Sequence, residues 1–157
     1  MSDSALREQI AKLLAWREAH AGFDRAVDGL APELRGRRPD GLPHSPWELL
    51  EHIRLAQHDI LDFTVNPHYI ELRWPDDYGP PTPAPPSATA WAESVALVRA
   101  DREALQAIAT DESIDLAANI PHGSGQTYLR ELLLAADHMA YHVGQLVLVR
   151  QLLGAWE

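Results

Sequence analysis

The chain has 157 residues, 13 of them basic and 23 acidic, for a formal charge of -10, and it has no cysteine. Charge of that sign repels phosphate backbones and anionic membrane surfaces, so nucleic acid is excluded as an expected partner. Without thiols no disulfide can form, and any metal site must be built from histidine or carboxylate.

The length predicts a single domain over 1–157, large enough to bury a core. The opening MSDSALREQIAKLL lacks the basic, apolar and small-residue succession of a secretory signal, which predicts a cytoplasmic protein. No stretch approaches the roughly eighteen uninterrupted apolar residues of a membrane span, so no membrane partner is expected.

Four stretches carry helical periodicity, and the segments between them are rich in proline, glycine and short polar residues; the fold class is all-α, a four-helix bundle. The first helix is predicted over 4–30, with Leu6, Ile10, Leu13, Trp16, His20, Phe23 and Val27 as its apolar stripe. Residues 35–44 read as a loop. The second helix has a legible start, with Ser45 as N-cap, Pro46 at the first helical position and Glu48 closing a capping box. Along it Leu49, His52, Ile53, Ala56, Ile60 and Phe63 face inward, whereas Glu51, Arg54, His58 and Asp62 are expected in solvent.

Residues 66–88 hold seven prolines and cannot be crossed by a helix. The segment is longer than a helix hairpin needs, which predicts a crossover between helices 2 and 3. Its aromatics, Trp74 and Tyr78, predict that it packs down and helps shape a pocket mouth. The third helix is predicted over 89–109, with Trp91, Val95, Val98, Leu105 and Ile108 toward the core. After a loop over 110–126, Thr127 offers an N-cap for the fourth helix and Gly154 a C′ residue. On that helix Leu134, His138, Tyr141, His142, Gln145, Leu148 and Leu152 share one stripe, read as facing the core.

His138 and His142 are four residues apart, a spacing that stacks both imidazoles on one helix face. If the second and fourth helices are neighbours, His52 joins them at one point. Three imidazoles with a fourth position left open is the arrangement of a catalytic zinc centre, and neutral ligands leave the ion its full charge to activate a water or a thiol. An H-x-x-x-H pair arises readily by chance among eight histidines, so hydrogen-bonded core histidines stand as the competing reading. The pair is not a zincin motif, because Met139 occupies the position of that motif's glutamate.

His20 reads as a pocket wall or a core residue, and His44, His68 and His122 as loop residues; none is given a ligand role. Tyr141, Gln145, Asp137 and Glu51 are candidates for proton transfer, but no spacing singles one out and the general base stays unassigned. Asp137 and Glu51 are equally candidates to orient a ligand imidazole, or solvated surface charges. Gly123 and Gly125 lack the strand and lysine of a phosphate loop.

The segments 44–52 (HSPWELLEH) and 137–146 (DHMAYHVGQL) resemble the DinB-like (DinB/YfiT-like) metalloenzyme superfamily, and the resemblance extends over essentially the whole chain. It implies an up-down-down-up four-helix bundle with a divalent metal, zinc or nickel, on His52, His138 and His142. It further implies a hydrolase or a thiol transferase acting on a small molecule, in some relatives with a low-molecular-weight thiol such as bacillithiol or mycothiol, and a homodimer. No residue pattern in this chain chooses among those reactions.

Overall fold

Amphipathic periodicity, caps and proline punctuation resolve into five α-helices in a computed structural model, which describes residues 3–157: α1 (Asp3–Leu13), α2 (Phe23–Val27), α3 (Pro46–Val65), α4 (Ala90–Thr110) and α5 (Tyr128–Leu152). Met1 and Ser2, the start of the segment read above for a signal, lie outside the described residues. Among the described residues there is no strand, only a bridge between Asn119 and Thr127, and the fold is all-α.

The expected first helix is two helices. α1 stops at Leu13, and α2 restarts after Gly22, whose extended backbone (φ -84°, ψ 171°) breaks the helical course. Between Leu14 and Phe23 no side chain is fully buried, so residues 15–22 lack the packing that sustains a helix. Trp16 and His20, placed on the stripe by their spacing, are exposed.

α3 starts as its sequence dictates. Ser45 Oγ accepts from the Glu48 amide, and the Glu48 carboxylate accepts from the Ser45 amide at 2.8 Å, closing the capping box. At the start of α5 Thr127 Oγ1 accepts from the Arg130 amide at 3.1 Å. The far end of α5 closes in a Schellman motif: Gly154 takes φ +69°, its amide donates to the Gln151 carbonyl at 3.0 Å, and the Ala155 amide donates to Arg150 at 2.8 Å. α4 starts and ends one residue later than the predicted 89–109, with Ser87 Oγ, not the Thr89 side chain, accepting from the Ala90 amide.

α3 is the central element, packed on both α4 and α5; α1 lies on α4 and α2 on α5. Leu50, Ile53, Val98, Leu105, Leu132 and Leu146 are fully buried between these helices. Two buried arginines tie helix ends together. Arg7 on α1 donates to the carbonyls of Asp111 and Ile114 past the end of α4, and Arg150 on α5 donates to those of Ala26 and Asp28 at the end of α2.

The buried face of α5 differs from the predicted stripe. Leu132, Ala135, Met139, Val143, Leu146 and Val149 are buried, while Tyr141, Leu148 and Leu152 are exposed. His138 and His142 therefore sit half-buried at the border of the packed face, and His142 lines a surface pocket. By length and composition α5 is also apolar enough to cross a bilayer, a property the count of uninterrupted apolar residues had not registered; nine of its residues are buried in the bundle.

Candidate metal centre

His52 is on the second turn of α3, and His138 and His142 are on consecutive turns of α5. Because α3 and α5 pack directly, the three rings meet. His52 Nε2 lies 3.1 Å from His138 Nε2 and 3.1 Å from His142 Nε2, and the ring centroids are 4.3–5.0 Å apart. The three residues singled out by spacing are brought together.

Their tautomers follow from their outer partners. His52 Nδ1 is 2.8 Å from the Tyr78 carbonyl oxygen, which can only accept, so Nδ1 carries the proton and Nε2 the lone pair. His142 Nδ1 is 2.7 Å from Gln145 Oε1, which fixes the same tautomer. Two lone pairs thus face each other across the 3.1 Å His52–His142 edge. A neutral His138 can donate from its own Nε2 to relieve the edge it shares with His52, but the other edge stays repulsive without a cation between the rings.

Protons are poor candidates for that cation. Burial, and the charges of His142 and His52, push the His138 pKa down from 6.5 to about 4. Burial and the His52 charge likewise lower that of His142, against the upward effect of Gln145. His138 and His142 are therefore held toward their neutral forms, as metal-ligating imidazoles must be. Two nitrogens bound at about 2.0–2.1 Å to one ion lie about 2.9 Å apart at right angles and about 3.3 Å apart at tetrahedral angles. Edges of 3.1 Å fit that window, and the residues present fit a divalent metal.

One side of the cluster opens into a pocket of about 400 Å³. The proline-rich crossover forms its outer wall, as expected, through Trp74 and Tyr78, with Tyr141 and Gln145 of α5 opposite. Tyr78 is held in place because its hydroxyl donates to Asp59 on α3 at 2.6 Å, beside a 2.8 Å bond from Tyr69 to the same carboxylate. Burial and the Asp59 carboxylate raise both phenols well above their ordinary pKa, so they are donors throughout the physiological range.

Other sequence candidates fall elsewhere. Glu51 is buried rather than solvated, and it faces α4: Arg54 holds it with two 2.8 Å bonds and Ser94 Oγ donates to it. Burial raises its carboxyl pKa, but those donors outweigh burial and leave it below the usual value. Asp137 is exposed, and the outer nitrogens of His52 and His142 are bonded to Tyr78 and Gln145 rather than to either carboxylate. His20 is an exposed wall of a different pocket, on the α1–α2 side of α5. His44 lines the mouth of the metal-side pocket, His58 and His68 are exposed, and His122 bonds to the Phe63 carbonyl. The Tyr78 carbonyl was invisible to sequence reasoning, because a main-chain oxygen carries no residue signature.

A family model described as the DinB superfamily matches residues 15–146, a span that contains all three histidines, the crossover and most of α5. The chain belongs to the DinB superfamily. Comparison with curated proteins and with solved structures finds no match. Membership in the DinB superfamily and the three-histidine cluster together fit a metal-binding protein.

Proposed function

We propose that this DinB-superfamily protein is a metal-dependent enzyme in which His52, His138 and His142 hold one divalent cation, zinc or nickel, beside a pocket for a small-molecule substrate. The observation that carries the reading is the His52 Nε2 lying 3.1 Å from both the His138 and the His142 Nε2, with the His52 and His142 nitrogens fixed as lone pairs by Tyr78 and Gln145. Held by three neutral ligands, such an ion supplies Lewis acidity that activates either water for hydrolysis or a low-molecular-weight thiol for transfer.

The protein's own groups prepare that chemistry. Tyr78 and Gln145 orient two of the rings, and His138 closes the inner side of the site. Tyr141 stands against His142, with ring centroids 4.8 Å apart, and its hydroxyl accepts from Gln145 Nε2 at 3.4 Å, which leaves its own O–H to donate toward a bound substrate. The reading includes an up-down-down-up course of α1, α3, α4 and α5. It also includes a homodimer, supported by the exposed apolar residues Leu133, Leu148 and Leu152 on α5.

A non-catalytic metal- or ligand-binding bundle is the second reading, favoured by the engagement of nearby carboxylates. Glu51 is held by Arg54 and Ser94, Glu48 by Arg38 and the α3 cap, and Asp59 by two tyrosines. Thiol-conjugation and ester- or amide-hydrolysis assays with metal-loaded protein separate the two. Turnover that disappears in His52→Ala supports the enzyme; a metal-loaded protein inert across both classes supports the binding bundle.

A further inference from the structure

The walls of the pocket beside the histidines are mostly apolar, with His44, Glu48 and Gln145 the polar residues outside the cluster. Trp74, Pro75, Tyr78, Pro80, Leu49 and Tyr141 give it a largely aromatic and prolyl surface, and among the described residues no lysine or arginine lines it. Its carboxylate, Glu48, is bonded through both oxygens to Arg38, so that guanidinium is engaged too. Trp74 remains 73% exposed at the mouth and Tyr141 63% exposed across from it, two large rings with little to cover them.

We infer that this pocket receives a substrate whose body is uncharged and flat or apolar, and discriminates against one that carries a carboxylate beyond the metal-binding group. The inference rests on the metal-centre reading above and narrows its substrate class. A carboxylate taken into the pocket loses its hydration without meeting the guanidinium fork that ordinarily replaces it. It also enters the field of a chain with a net charge of -10. An aromatic or aliphatic body instead covers Trp74 and Tyr141, and a ring pair in tilted or offset contact is favoured beyond the area it buries. The Trp74 and Tyr78 rings already meet at 5.4 Å and 56°, so the wall presents a fixed edge for such contact. Trp74 and Tyr141 thereby act as specificity-determining residues.

The test uses the full chain loaded with cobalt(II), whose visible spectrum reports ligand exchange, titrated with three thiols that offer the same sulfur on different bodies. These are benzyl mercaptan, 3-mercaptopropionate and the methyl ester of 3-mercaptopropionate. The expected order is benzyl mercaptan tightest, then the ester, then the carboxylate, with the carboxylate about tenfold or more weaker than its ester. Trp74→Ala, a change at an exposed ring, should shrink the advantage of benzyl mercaptan over the ester about three- to tenfold and leave the ester-to-carboxylate ratio in place. Equal affinity for carboxylate and ester, or absence of a spectral change with all three thiols, overturns the inference while the cobalt spectrum itself upholds the metal centre. Failure to take up cobalt overturns both.

Discussion

The main-chain carbonyl of Tyr78 accepts a hydrogen bond from Nδ1 of His52 at 2.8 Å, and the hydroxyl of the same tyrosine donates to Asp59 at 2.6 Å. Asp59 lies seven residues after His52 on α3, so one residue of the crossover is fastened to that helix twice, once near the cluster and once two turns away. This makes Tyr78 a positioning residue for His52.

Tyr78→Phe keeps the carbonyl and removes the side-chain anchor. Zinc affinity, read by competition with a chromophoric chelator, should fall about 10–100-fold, the usual effect of losing the support behind a metal ligand. Tyr69→Phe removes the neighbouring bond to Asp59 without touching the segment that meets His52, and should lower thermal stability while zinc affinity stays within about threefold of wild type. Equal zinc affinity in both variants would reduce Tyr78 to a loop anchor.

The depressed pKa of His138 sets a pH dependence for the metal-free protein. The folded value is about 4 against 6.5 for the free side chain, so between those values the unfolded chain binds a proton that the folded chain refuses. Stability must therefore fall as pH drops from about 6.5 toward about 4, and His142, shifted in the same direction, adds to the trend. Thermal melts in chelator across that range should show a shallower slope for His138→Leu than for wild type. Parallel slopes would mean that His138 titrates normally in the fold.

Ser45 links the start of α3 to the crossover. Its Oγ accepts from the Glu48 amide at 3.2 Å and donates to the Pro83 carbonyl at 2.5 Å, and the residue is fully buried. Ser45→Ala should destabilise by about 2 kcal/mol, the upper end for an N-cap, because the change also leaves a carbonyl without its donor. Urea unfolding measures this; a loss under about 0.5 kcal/mol would show that the cap and the Pro83 bond are dispensable.

Legibility in the sequence followed the range of the interaction that decides each feature. The α3 cap and the Gly154 stop were readable because Ser45, Pro46, Glu48 and Gly154 act on their immediate neighbours. α1 was read too long because Trp16 and His20 continue its period, and only the absence of tertiary cover reveals that the helix has ended. The face of α5 was misjudged because leucines fall on several sides of it: Leu134, Leu148 and Leu152 match the period as well as Leu132 and Leu146 do, and packing against α2 and α3 makes the choice. Glu51 defied its polarity because Arg54, three residues on, and Ser94 on α4 satisfy its carboxylate inside the fold. The three histidines were legible all the same. His138 and His142 lie at the edge shared by the two alternative faces of α5, so either phase brings them near His52 on α3.

The measurement that bears most directly on the central claim is elemental analysis of protein purified without an affinity tag, wild type beside His142→Ala, before and after reloading with zinc or nickel. The account predicts close to one divalent ion per chain in the wild type and its loss in the variant, with the helical circular dichroism of both unchanged. Metal-free wild type after reloading, or a variant that keeps full occupancy, would contradict a metal centre at His52, His138 and His142.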